Sequence, residues 1–162
     1  MDSCLSPMPG AWMGTFATMN LAPAVARDLF AGSPVARLAT ADASGLPHLV
    51  PITFEVDGDT VFFAVDHKPK RSTDLRRLRN IAENPRVALI VDHYTDDWSR
   101  LWWARADGRA EVRETGDDWQ SALALLQAKY HQYQEHPPTG PVVAVHADTW
   151  SGWASSDRAM SS

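Results

Sequence analysis

The sequence predicts a mainly β protein: a six-stranded antiparallel barrel, closed or split, with about three flanking helices. Three observations carry this expectation. Residues 35–65 are rich in β-branched and aromatic side chains and are punctuated at Ser44-Gly45 and Asp57-Gly58, the pattern of consecutive hairpins. "RVALIVDH" (86–93), "RLWWARADGRAEVRE" (100–114) and "PVVAVHADTW" (141–150) repeat that character further along the chain. Helical spacing of apolar residues appears only before the first strand, after the third and after the fifth, so helices trim a β core.

The elements follow in order. Residues 1–19 carry Pro, Gly and Ser without a usable period and read as an irregular tail. The domain is expected over 20–155, with 156–162 a mobile tail. Asn20 reads as a helix cap, Pro23 falls in the first turn, and Val25, Leu29 and Phe30 form a stripe that ends at Gly32-Ser33-Pro34. Strands are expected at 35–41, 47–56 and 60–65. Pro47 and Pro51 remove ladder donors from the second, so part of it must be an edge, a bulge or a place where backbone faces a ligand. Ser72 and Asp74 then suit a helix start, and Leu75, Leu78 and Ile81 make one face up to Asn84-Pro85. In the fifth strand Asp107-Gly108 suggests a bulge. Trp119, Ala122, Leu123, Leu126, Tyr130 and Tyr133 recur at helical spacing from Asp117 to His136-Pro137-Pro138.

Composition bounds the function. The chain has 162 residues, 44% of them hydrophobic, enough for one domain with a real core. No apolar run approaches the roughly 18 to 20 residues of a membrane span, and no signal-peptide pattern opens the chain, so a soluble, cytoplasmic protein is expected. The one cysteine, Cys4, has no partner for a disulfide. The formal net charge of -5 argues against nucleic acid as a partner. Against that acidity, "DHKPKRSTDLRRLRN" (66–80) gathers Lys68, Lys70, Arg71, Arg76, Arg77 and Arg79. A local cationic turn leading into a helix suits a small anionic ligand such as a phosphate; a solvated helix face is the plainer reading. The six histidines match no common metal spacing, so no metal is expected. His67 beside the basic turn and His48 on the second strand are candidate donors, with plain turn and surface positions as alternatives. Trp98, Trp102 and Trp103 suit either the wall of an apolar substrate pocket or core and interface packing.

The order "VARLATADASGLPHLVPITFEVDGDTVFFAVD", "KPKRSTDLRRLRNIAENPRVALIV", "WARADGRAEV" resembles the split-barrel flavin-binding superfamily of pyridoxamine 5'-phosphate oxidase. Within it the chain is most similar to the flavin/deazaflavin oxidoreductases that depend on coenzyme F420. The likeness runs from about Leu21 to Trp153. It implies an oxidoreductase that transfers a hydride between the reduced deazaflavin and a small organic acceptor, built as a homodimer with cofactor in grooves between the subunits. It also implies that Lys70 contacts a phosphate, with Lys68 at a position where relatives carry serine and Arg71 assisting. The backbone of Pro51, Ile52, Thr53 and Phe54 would line the ring, and Trp153 would approach the cofactor of the other subunit. Arg76 and its helix lie where an acidic tail would run, and the surplus of positive charge favours F420 over FMN. Departures are specific. Trp102-Trp103-Ala104-Arg105 replaces an Arg-Gln-Val-Arg type stretch, and Ala64-Val65 a threonine-asparagine pair. Both argue against pyridoxamine phosphate oxidation. An FMN-binding oxidoreductase and a non-catalytic module that holds a cofactor, haem or tetrapyrrole remain as alternatives.

Overall fold

The computed structural model describes residues 18–65 and 75–155. Among them eight strands form one antiparallel sheet: β1 (Thr18–Asn20), β2 (Ala36–Ala41), β3 (Pro47–Ile52), β4 (Glu55–Asp57), β5 (Thr60–Ala64), β6 (Arg86–His93), β7 (Trp102–Arg113) and β8 (Val142–Ser155). Helices α1 (Pro23–Ala31), α2 (Arg76–Glu83), α3 (Asp117–Lys129) and α4 (His131–Glu135) surround it. The strand order is β3-β2-β6-β7-β8-β5-β4, with β1 alongside β8. β3 and β4 stand at opposite ends of that order, yet only Thr53 and Phe54 separate them in the chain. The sheet therefore curls until its two ends meet at that dipeptide, which makes it a split barrel.

Alternation along the strands fills the interior. Leu38, Ile52, Val61, Phe63, Leu89, Val91, Ala104, Val145 and Trp150 converge there, and fully burying each larger side chain stabilises the fold by about 1.5–3 kcal/mol. α1 seals this core with Phe30, whose ring centroid lies 4.8 Å from Phe54 and 5.3 Å from Trp150. α2 contributes Ile81, and buried Asn80 donates to the buried Thr40 hydroxyl at 3.0 Å, so each satisfies the other. On the outer face α3 and α4 set Ala122, Leu123, Leu126 and Tyr133 against Ala64 and Val142. Residues 142–145 are thus covered from both sides, which is why that stretch is apolar without alternation.

Several boundaries differ from the sequence expectation. Asn20 pairs with Trp153 as a strand residue instead of capping a helix; Ala22, without a side-chain cap, precedes α1. The expected strand 47–56 is two strands, because Thr53 and Phe54 leave the ladder. The helix expected from Ser72 begins, among the described residues, at Arg76, behind an extended Leu75 that packs on the core; Ser72 and Asp74 lie outside the described residues. The expected third helix is two, because Tyr130 is extended. The last strand continues past Trp150 to Ser155, held by both β7 and β1.

The bulge at Asp107-Gly108 is present as a register shift between β7 and β8. A Cβ on Gly108 would lie 2.1 Å from the His146 carbonyl oxygen. Gly108→Ala must therefore push two paired backbones apart, and we expect it to lose at least about 2 kcal/mol in urea unfolding.

Candidate cofactor site

The break between β3 and β4 is the most constrained stretch of the barrel. Pro51 is exposed on the edge strand β3 opposite Arg37, where among the described residues β2 is the only sheet neighbour and a missing N–H is tolerated. Ile52 and Phe54 turn inward into the core. The Thr53 hydroxyl is paired with the Tyr133 hydroxyl at 2.8 Å. Phe54 N–H donates to the Tyr130 hydroxyl at 2.9 Å, and that hydroxyl's one hydrogen serves either Phe54 O at 2.7 Å or Pro34 O at 2.8 Å. The Tyr130 hydroxyl thus accepts from Phe54 N–H and lies within hydrogen-bond reach of Phe54 O, the two groups that a neighbouring strand would otherwise pair.

Lys129 completes the support. Its ammonium sits 4.3 Å from the Phe54 ring centroid, donates to Ala31 O at 2.9 Å at the end of α1, and lies 3.6 Å from a Glu55 carboxylate oxygen. Burial lowers the Lys129 pKa, with Glu55 opposing. Burial also raises the Tyr130 hydroxyl to about 12; the Phe54 backbone bond opposes that shift, and Glu55 and Tyr133 add to it.

The expected site residues separate into three groups. Pro51, Ile52, Thr53 and Phe54 form the break just described, and because three of their side chains point inward or are engaged, it is backbone and the Pro51 ring that face outward. Trp153 lies on β8 opposite Trp103 and Asn20, half-buried on the outer face. Arg76 opens α2 near the β2–β3 turn, where Asp42 is held below the usual carboxylate range by the Ser44 hydroxyl and the Leu46 amide, with a smaller contribution from Arg76. Lys68, Lys70 and Arg71, with His67, lie outside the described residues. The flanking chain is informative: Val65 follows β5 and bonds Pro141 O at 2.9 Å, near the break, whereas Leu75 and Arg76 lie toward the far end of the β2–β3 hairpin.

The tryptophan run divides. Trp102 is buried in the core and stacks on His93 at 6.2 Å, Trp103 faces outward beside Trp153, and Trp98 is 67% exposed. His48 pairs with Thr40 on the inward-facing set of β3, away from the outer surface. Sequence reasoning missed Lys129 and Tyr130. The signal was there, since a polar Tyr on an apolar helical stripe needs a partner, but the partner's identity is tertiary. Among the described residues no group of three or more His, Cys, Asp or Glu side chains is arranged to hold a metal, and no helix is long and apolar enough to cross a membrane.

A sheet curled so that its two ends meet at a pinned, proline-flanked break defines a split-barrel protein. The chain belongs to the pyridoxamine 5'-phosphate oxidase family, which matches residues 22–154; this is a family of oxidoreductase type whose fold binds flavin-type cofactors. A 5a,11a-dehydrotetracycline/5a,11a-dehydrooxytetracycline reductase of Streptomyces rimosus is 41% identical over 56 residues, 35% of this chain and 38% of that protein. The match thus spans well under half of either chain. Three solved structures share the fold. A putative 5-nitroimidazole antibiotic resistance protein from Bacteroides thetaiotaomicron has TM-score 0.69 and 16% identity over 93% of this chain and 95% of its own. A FAD-binding protein from Mesorhizobium loti has TM-score 0.65 and 18% identity over 85% and 97%. HutZ, the heme storage protein from Vibrio cholerae, has TM-score 0.62 and 18% identity over 80% and 92%.

The raised Tyr130 pKa has a consequence at alkaline pH. Its folded value lies above the unfolded value of about 10, so its stabilising contribution is complete below about pH 10 and is lost as pH rises through about 12. The lowered Lys129 pKa acts in the opposite sense, adding stability as pH rises toward its unfolded value. Urea unfolding at about pH 9 and about pH 11 is expected to show a smaller alkaline loss for Tyr130→Phe than for the parent chain.

Proposed function

We propose that this protein is a coenzyme F420-dependent oxidoreductase that transfers a hydride from the reduced deazaflavin to a small organic acceptor. The observation that carries this reading is the break at Thr53–Phe54, a backbone platform with its side chains withdrawn, in a chain that gathers six cations between 68 and 79. The described residues fit such a group: an open edge strand offers a flat apolar surface at Pro51, and Arg76 stands at the start of the helix that follows the basic segment. Lys70 and Arg71 would bind the phosphate, Lys68 and Arg76 would meet an acidic tail, and Trp153 would close over the ring from the partner subunit. When bound, the cofactor supplies the hydride, and the acceptor's second hydrogen arrives as a proton. The protein's part is orientation and exclusion of water.

The acceptor is expected to be a conjugated, largely flat molecule. The S. rimosus relative is named for reducing a dehydrotetracycline, and Trp103 beside Trp153 offers two neighbouring indoles to stack against such a surface. FMN is the alternative cofactor, because the family fold takes flavins; surplus positive charge beyond one phosphate favours F420. A cytoplasmic setting is part of the same reading.

A homodimer belongs to it as well. The outer sheet face not covered by α3 and α4 presents Leu49, 65% exposed, together with exposed Pro47 and Pro51 beside Ala39, Ala88 and Ile90. A second copy would cover that stripe. Light scattering is expected to give the mass of two chains, and Leu49→Asp is expected to shift it toward one; a parent chain that is monomeric at micromolar concentration overturns the dimer.

Titration of the purified protein with F420 and separately with FMN, followed by tryptophan quenching, tests the cofactor. Micromolar or tighter F420 binding with weaker FMN binding is expected. The pair Lys70→Ala and Arg71→Ala should weaken it by about 1.5–3 kcal/mol per lost charge-assisted bond with unchanged circular dichroism. Binding of neither ring rejects the reading.

A further inference from the structure

Thr53 and Phe54 are held from one side by hydroxyls that arrive from a different element. Tyr130 sits in the extended link between α3 and α4, and Tyr133 lies in α4. Without that link a single helix would continue past Lys129, and an α-helical Tyr130 would leave the orientation in which its hydroxyl meets both Phe54 backbone groups. The interruption of the helix and the interruption of the strand are therefore one feature, joined by three hydroxyl contacts, at Phe54 N, Phe54 O and Thr53 Oγ1. The same hydroxyl reaches Pro34 O, and Lys129 next to it caps α1 at Ala31 O, so the loop between α1 and β2 is tied to the same point. Phe54 itself is clamped between the Phe30 ring and the Lys129 ammonium. Little freedom remains to the backbone from Pro51 to Glu55.

We infer that Tyr130 and Tyr133 are positioning residues for cofactor: they fix the height and tilt of the 51–54 backbone against the ring, acting through Phe54 and Thr53 and not by touching the ligand. This rests on the proposed function, since it assumes a flat redox ring over that backbone. Its consequence is a division of labour. Cations of the 68–76 segment set how strongly the anionic part is held, and the two tyrosines set the surroundings of the ring.

The test uses the full-length protein, titrated with F420 and with FMN, as parent chain, Tyr130→Phe, Tyr133→Phe and Lys70→Ala. The absorption and fluorescence spectra of the bound ring are recorded at saturation, where differences in affinity no longer matter. Tyr130→Phe is expected to weaken ring binding about five- to tenfold and to change the bound-ring spectrum; Lys70→Ala is expected to weaken binding while leaving that spectrum as in the parent. Tyr133→Phe should cause a smaller change, and Thr53→Val, which deletes the same hydrogen bond from the other end, should reproduce it without adding to it in the double variant. If Tyr130→Phe does not fold, the Tyr133→Phe and Thr53→Val pair carries the test alone. Variants that fold with lowered melting temperature but keep the parent affinity and spectrum would show that the tyrosines serve only the fold, and overturn the inference. Failure of the parent chain to bind either ring overturns the proposed function instead, and the inference with it.

Discussion

The architecture depends on one strand changing neighbours. β3 pairs with β2 and β4 with β5, and the chain passes from one pairing to the other across two residues. A backbone that leaves a ladder must find other partners for its N–H and C=O, because burying them unpaired costs about as much as the hydrogen bonds it gave up. The Tyr130 hydroxyl accepts from Phe54 N–H and stands within reach of Phe54 O. Closure of the barrel, the path of the α3–α4 link and the placement of Lys129 all follow from that requirement.

The remaining sheet is organised around β7 and β8, which run antiparallel along nearly their whole length and serve both faces of the molecule. Their interior residues complete the core beneath α1; at its start β8 also receives α3. Gly108 and Gly152 stand where backbone or helix approaches too closely for a side chain: the first against the His146 carbonyl, the second against Leu21 and Ala26. With α3 and α4 on one part of the outer face, the other part, from β3 to β7, keeps its apolar stripe and its ion pairs Arg37–Asp92 at 2.9 Å and Arg105–Asp107 at 2.7 Å. Exposed pairs of this kind contribute little to stability, about 0–1 kcal/mol each. They shape that surface more than they hold the fold.

The candidate site was legible in the sequence as composition and defect. Two prolines in one strand pointed to an edge or a break, which β3 and the Thr53–Phe54 step supply, and a basic cluster in an acidic chain suits an anionic ligand as well as it suits a solvated helix face. What the sequence could not give was the anchoring. Tyr130 and Tyr133 appeared as ordinary members of a helical stripe, and their hydroxyls meet residues 76 and 80 positions away. Nor could periodicity separate Trp102 from Trp103: adjacent residues on a strand face opposite sides, but which side is the core depends on the partner strands.

The sequence by itself determined the strand-rich class, the hairpins set by Ser44-Gly45 and Asp57-Gly58, the bulge at Asp107-Gly108 and the local excess of positive charge, because each depends on residues close together in the chain. Tertiary structure decided where strand 47–56 breaks, where the third helix stops, that Asn20 joins a sheet instead of capping a helix, and that β8 runs on to Ser155. Each of those outcomes is fixed by hydrogen-bond partners distant in sequence, and local preferences of well under about 1 kcal/mol per residue yield to them.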